Sequence, residues 1–182
     1  KLASEPRVRA VGETGLDYLR TGPEKLFLQQ HSFEAHIEIA KENNIALQIH
    51  DRDAHEDVVE TLLRVGAPEK TVFHCFSGDS ELAEILKANG WYASFSGTVT
   101  FKKNEYLRAA LAALPKELIL VETDAPFLTP EPFRGRPNSP YLMGLTVRRM
   151  AEVLDQNLND LAKQLTINTE AVYGSWAEGL NG

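Results

Sequence analysis

Leu118-Ile119-Leu120-Val121-Glu122-Thr123-Asp124-Ala125-Pro126 is the stretch that decides how this chain of 182 residues is read. Its apolar positions suit a strand buried on both faces, and two carboxylates follow where that strand would emerge into a loop. Working outward, Ile45-Ala46-Leu47-Gln48-Ile49-His50 and Thr71-Val72-Phe73-His74 repeat the construction with a histidine at the end. Val8-Arg9-Ala10-Val11-Gly12-Glu13 repeats it with a glutamate. Strand ends carrying Glu, His, His and Asp are most economically read as one site.

The segments between these strands have helical spacing. Pro23 opens a helix with Leu26, Phe33, Ile37 and Ala40 on one face, stopped near Asn43-Asn44. A second runs from Asp53 to Val65 and ends at Gly66, and a third is capped by Asp79 or Ser80 and closed by Gly90. Trp91 to Ser96 reads as a further strand, and Asn104 caps a helix that halts at Pro115. Five strands alternating with four helices predict a parallel α/β sheet with right-handed crossovers. After Asp124 come a Pro-rich loop to Ser139, a helix from there to about Asn157, and a last helix capped by Asn159. No repeat or domain boundary interrupts the pattern, so residues 1–182 are read as a single domain.

The bulk properties narrow the functional classes. A net charge of −7 argues against a broad basic surface that coats duplex DNA, while leaving room for an anionic substrate held at bound cations. A lone cysteine, Cys75, cannot form an internal disulfide, which fits a reducing compartment. No apolar run approaches the roughly 20 residues of a membrane span, and the expected location is cytoplasmic.

In a parallel α/β barrel every strand end points to the same rim, which would gather Glu13, His50, His74 and Asp124 into one cleft. Two imidazoles and two carboxylates suit divalent ions: Zn²⁺ or Mn²⁺, and Mg²⁺ where carboxylates and water dominate. A carboxylate between two such ions can bridge them, and the pair can activate water and neutralise charge on a phosphoryl or carbonyl oxygen. A single histidine after a strand is more often structural; it is the set of four that points to metal. Glu122 either supports the ligands or is a salt-bridged acid. His31, His36 and His55 fall on helices, where a solvated face is expected, and Cys75 is read as a small packed residue beside the site.

Five blocks in order carry a resemblance: Gly12-Glu13-Thr14-Gly15-Leu16-Asp17-Tyr18; Ile49-His50 with Arg52-Asp53-Ala54; His74-Cys75-Phe76-Ser77-Gly78; Ser94-Phe95-Ser96-Gly97 with Thr100-Phe101; and Glu122-Thr123-Asp124-Ala125-Pro126 with Arg134-Gly135 and Asn138. From about residue 8 to the C-terminal helices the chain resembles the TatD family of metal-dependent deoxyribonucleases. The resemblance implies a TIM-barrel hydrolase with two divalent metal ions and 3'-5' exodeoxyribonuclease activity, its partner being DNA at single-stranded ends. By position, Glu13 would bridge the ions and His50 and His74 would hold one. Asp124 would hold the other and orient or deprotonate the attacking water, so that Glu13 and Asp124 are the catalytic candidates. Family members begin with a strand ending in a His-x-His pair, which is absent here. A TIM barrel also has eight strands and about 250 residues. The expectation is therefore a chain lacking about the first three βα units, with self-association of the truncated piece as a corollary. An amide or ester hydrolase on the same barrel, and a catalytically silent fragment, are the alternatives.

Substrate contacts are expected from the loops. Arg52 and Arg134 are the favoured phosphate ligands, because guanidinium binds phosphate in a bidentate fork and both fall in the motif blocks. Lys102, Lys103 and Arg136 are further cationic candidates, and Tyr18, Phe101, Phe127 or Phe133 could stack a base.

Overall fold

The computed structural model describes residues 1–175. Its strands are β1 (Ala10–Asp17), β2 (Ala46–Arg52), β3 (Thr71–Phe73), β4 (Tyr92–Phe95) and β5 (Ile119–Val121). Its α-helices are α1 (Leu26–Asn43), α2 (His55–Val65), α3 (Ser80–Asn89), α4 (Glu105–Ala113), α5 (Met143–Val153) and α6 (Leu158–Tyr173). This is the expected alternation: a parallel sheet core with flanking helices, the architecture of a partial TIM barrel. Contacts gather the described residues into two compact units, residues 1–74 with 170–175, and residues 75–169.

In the first unit β1 pairs in parallel with β2, and β2 with β3. Phe33, Ile37 and Ala40 on α1 and Val58 and Leu62 on α2 are fully buried, as are Leu47 and Ile49 of β2. Helix α1 ends where Asn44 turns left-handed (φ 51°), so its amide reaches the Ala40 and Lys41 carbonyls.

Strand β1 departs from the sequence expectation, which ended it at Glu13. The strand continues to Asp17, with Thr14 and Leu16 buried on alternate positions. Val11 faces Leu47 but Thr14 faces Ile49, so three steps on β1 meet two on β2: a bulge lies at Gly12-Glu13. Gly15 makes the continuation feasible. Its φ is +147°, and a Cβ there would lie 1.9 Å from the His50 carbonyl oxygen. The Gly and Thr content that reads as loop is thus what lets β1 press against β2 beside His50.

In the second unit β4 pairs in parallel with β5, Ala93 facing Ile119 and Phe95 facing Val121. The Phe76 and Phe95 rings pack 5.5 Å apart between centroids, tilted by 52°, and both are fully buried, as are Leu86, Leu107, Leu111 and Met150. Removing a ring so enclosed costs about 3–5 kcal/mol. Asp79 caps α3 by accepting from the Glu81 and Leu82 amides, and Gly90 closes the helix at φ 70°. At α6 the cap is Asn157, which accepts from the Asn159 and Asp160 amides, rather than Asn159. The buried Asn168 amide ties α6 to the carbonyls of Lys116 and Ile119, at 2.7 Å each.

Candidate metal centre

The β1 bulge, the end of β2 and the residue after β3 bring three predicted ligands together in the first unit. Glu13 Oε1 lies 2.5 Å from His50 Nδ1 and 3.2 Å from His74 Nε2, and the two imidazole centroids are 6.3 Å apart. One ligand atom from each residue falls within 4.8 Å of the others. Two nitrogens and a carboxylate oxygen converging this closely fit a divalent cation of the Zn²⁺ or Mn²⁺ type. His74 is the most enclosed, with 18% of its side chain exposed, against 32% for His50 and 48% for Glu13. The cluster is therefore open to solvent on the glutamate side and walled on the histidine side.

A fourth member, not singled out from sequence, completes the geometry. His50 Nε2 lies 3.0 Å from Asp17 Oδ2, so the ring has a carboxylate at each nitrogen. Asp17 is itself held: its Oδ1 accepts from the Leu19 and Arg20 amides at 2.9 and 2.8 Å, while its own amide donates to Gln29. Burial opposes ionisation of this carboxyl, but the Arg20 amide, the His50 ring and the Leu19 amide outweigh it and hold its pKa below the usual aspartate value. An imidazole that donates one N–H to a fixed carboxylate presents the other nitrogen to a metal in a set tautomer and orientation. The signal was in the Gly-Leu-Asp-Tyr block, but only the continuation of β1 to residue 17 places Asp17 beside His50.

Asp124 follows β5 in the second unit, half-buried and with φ at +53°, a left-handed conformation that aspartate tolerates better than most residues. Its carbonyl accepts from the Phe127 amide at 2.8 Å, which starts the turn into the long loop. Glu122 accepts from the Cys75 amide at 3.0 Å, and the Cys75 sulfur lies 3.2 Å from the buried Ser96 hydroxyl. This bond to a backbone amide is neither ligand support nor a salt bridge, the two readings that the sequence left open for Glu122. Cys75 is half-buried.

Two helical histidines are more engaged than a solvated face implies. His36 Nδ1 bonds the Thr14 hydroxyl at 2.8 Å, and His55 Nδ1 lies 2.6 Å from the Asp51 carboxylate. Among the substrate-facing candidates, Arg52 ends β2 and is exposed. Arg134 lies over the Phe101 ring, its guanidinium carbon 4.1 Å from the centroid, and Arg136 lies 5.8 Å from that of Phe133. Tyr18 donates its hydroxyl to Asp57, and Phe101 is only 8% exposed beneath Arg134. Phe101 is therefore covered, whereas the Tyr18 ring, at 36% exposure, and Phe127, at 68%, present open faces.

A partial parallel barrel with carboxylate and imidazole groups at its strand ends marks the class as a TIM-barrel-type protein with a candidate metal site. The sequence matches the family described as TatD related DNase over residues 1–174, and the chain belongs to that family. It is 42% identical over 178 residues to a Mycobacterium tuberculosis protein named uncharacterized metal-dependent hydrolase TatD, covering 96% of this chain and 67% of that protein. It is 42% identical over 174 residues to YcfH of Escherichia coli K12, another named metal-dependent hydrolase, covering 95% and 65% respectively. The crystal structure of YJJV, a TatD homolog from Escherichia coli K12, superposes with a TM-score of 0.85 at 30% identity over 92% of this chain and 64% of its own. A hydrolase TatD family protein from Entamoeba histolytica shares the fold at 19% identity, with a TM-score of 0.81. The chain thus spans about two thirds of the length of the relatives it matches. Among the described residues no helix is long and apolar enough to cross a membrane.

Proposed function

We propose that this chain belongs to a metal-dependent hydrolase that cleaves phosphodiester bonds of DNA, removing nucleotides from a 3' end. The observation that carries this reading is the convergence of Glu13, His50 and His74, two imidazoles and a carboxylate at a half-exposed strand end. Glu13, His50, His74 and Asp124 are the proposed metal ligands for two divalent cations, Mg²⁺, Mn²⁺ or Zn²⁺. Bound there, the cations would supply Lewis acidity and offset negative charge on the phosphoryl oxygens.

The protein's own groups do the rest. Glu13 holds His50 and His74 in register from its bulge, and Asp17 fixes the His50 ring from the far side. Asp124 is the proposed base that orients and deprotonates the attacking water, a role that needs an ionised carboxylate. Arg52 and Arg134 are the proposed phosphate contacts, and single-stranded DNA ends are the proposed substrate.

The test is nucleotide release from single-stranded DNA, with and without added divalent metal. The parental protein should need the ion, and Asp124→Asn should lower the rate at least a hundredfold, since it keeps the shape and removes the base. Digestion by Asp124→Asn at the parental rate, in protein freed of host nuclease, would overturn the assignment. A panel of amides and lactones run in parallel separates phosphodiester from amide or ester hydrolysis.

A further inference from the structure

The loop after β5 builds a second feature that the metal centre does not use. Pro126, Phe127, Thr129, Arg134, Arg136 and Pro137 line an open groove of about 520 Å³ floored by Phe101. Both arginines project from a loop fastened along its length. Asn138 donates to the Thr123 and Phe127 carbonyls at 2.7 Å each, the Thr129 hydroxyl bonds the Arg136 carbonyl, and the Glu131 amide donates to the Thr100 hydroxyl. Gly97 lets this loop seat on the end of β4: a Cβ there would lie 2.1 Å from the Leu128 carbonyl oxygen.

The Phe101 floor is fixed from below. Arg108, 5% exposed, donates to the carbonyls of Val99, Phe101 and Lys102 and pairs with Glu105. Over this floor the Arg134 guanidinium carbon sits 4.1 Å from the ring centroid, and neither its guanidinium nor that of Arg136 has a hydrogen-bond or carboxylate partner among the described residues. A cation stacked on a ring keeps two assets: a second planar face, and N–H edges free in the plane of the fork. The Arg134 edge suits a phosphate, its outer face suits a flat aromatic ring, and Arg136 adds charge alongside. Exposed Phe127 supplies an apolar wall.

We infer that this groove is a nucleotide subsite, in which a nucleobase stacks on the outer face of the Phe101-supported Arg134 guanidinium while the adjoining phosphate meets the edges of Arg134 and Arg136. The inference rests on the nuclease reading for its biological substrate but not for its chemistry. Stacking on a guanidinium reads no base edges, so the subsite accepts purines and pyrimidines alike. The groove is also large enough for one nucleotide unit, since ligand pockets start at about 300 Å³.

The experiment uses the intact protein in EDTA, which keeps the carboxylate and imidazole cluster free of cations. Dissociation constants for dTMP, thymidine and inorganic phosphate are measured by NMR, following the Nε–Hε signals of Arg134 and Arg136. Thymidine should shift the Arg134 signal upfield by ring current, phosphate should move both arginines, and dTMP should do both. Arg134→Lys keeps the charge and loses the flat face and the fork. It should weaken dTMP at least tenfold and phosphate by a smaller factor, with unchanged thermal unfolding because the side chain is exposed.

Equal dTMP affinity in parental and Arg134→Lys protein, or dTMP shifts confined to residues outside the groove, overturns the subsite. A short single-stranded oligonucleotide that shifts the same two signals shows that the subsite receives DNA; if dTMP alone does so, free nucleotide is its ligand. The two readings fail separately. Nucleotide binding at Arg134 without metal-dependent release from DNA removes the nuclease and keeps the subsite. Release from DNA without any effect at Arg134 does the reverse.

Discussion

Glu13, His50 and His74 are placed by strands, whereas Arg134 and Arg136 are placed by side-chain bonds to a loop backbone. In the first region β-ladder register sets each ligand: the pairing of Gly15 with His50 and Ile49 with Phe73 leaves little freedom for the groups beside them. In the second region nothing repeats. The loop keeps its shape through Asn138, Thr129, Thr100 and the absence of a side chain at Gly97. A ladder tolerates loss of one contact because its neighbours hold the register, but it cannot absorb an atom forced between strands. A loop held by a few buried bonds should respond in the opposite way.

Gly15→Ala is the harshest test of that contrast. The added methyl would sit 1.9 Å from the His50 carbonyl at a φ of +147°, so β1 and β2 must separate where the metal ligands stand. Overpacking and backbone strain together should cost about 3 kcal/mol or more, read as a lower denaturant midpoint. Gly97→Ala makes a similar clash, with Leu128, but there the loop can lift, and the loss should be roughly half as large. Equal losses at both sites would end the distinction between ladder and loop.

Asp17→Asn sharpens the comparison within the strand region. The carboxamide oxygen can still accept from Leu19 and Arg20 but without the charge that favours those bonds, so stability should fall by only about 1 kcal/mol. The His50 ring, however, loses the charged partner that sets its tautomer, and Zn²⁺ or Mn²⁺ affinity measured by calorimetry should fall about 10- to 100-fold. An unchanged metal affinity would show that the Asp17 contact is structural only.

The same contrast explains what could be read from the sequence. The pattern of an apolar run with a polar end placed the strands and predicted Glu13, His50 and His74, because period-two burial and strand-to-helix alternation are written residue by residue. The convergence of those three is now seen within one unit, while the role of Asp124 remains a proposal tied to its activity test. The extension of β1 was hidden because Gly12, Thr14 and Gly15 carry loop composition, and with it went Asp17, whose partner His50 is distant in sequence. The loop was legible only as a loop. Arg134 and Phe101 could each be suspected of touching substrate, but their stacking on one another depends on Arg108 and Asn138, whose targets are backbone carbonyls that leave no mark in the sequence.

Asn138→Ala reads the loop side directly. It leaves the Thr123 and Phe127 carbonyls without their shared donor in a buried spot, a loss of about 1–2 kcal/mol. Hydrogen exchange should quicken at the amides of Phe127, Phe133 and Arg136, and hardly at all in β2. Uniform quickening across both units would mean that the loop is not held locally.

Tyr18 offers the smallest effect and the finest resolution. Its hydroxyl donates to the Asp57 carboxylate; that bond, with partial burial and the nearby negative charge, raises the phenol to about 12 from its ordinary 10. Because the folded value lies above the unfolded one, the contribution is complete below about pH 10 and is lost as pH rises towards 12. Asp57→Asn keeps an acceptor but removes the charge, so one of the five tyrosines should titrate nearer 10 in the ultraviolet difference spectrum. Superimposable titration curves would refute the pairing. At neutral pH the cost should be below roughly 0.5 kcal/mol, because the ring is partly exposed. Metal affinity should not follow it: the turn after β1 is fastened by the bonds from Asp17 to Leu19 and Arg20, so freeing Tyr18 leaves the carboxylate that faces His50 where it is.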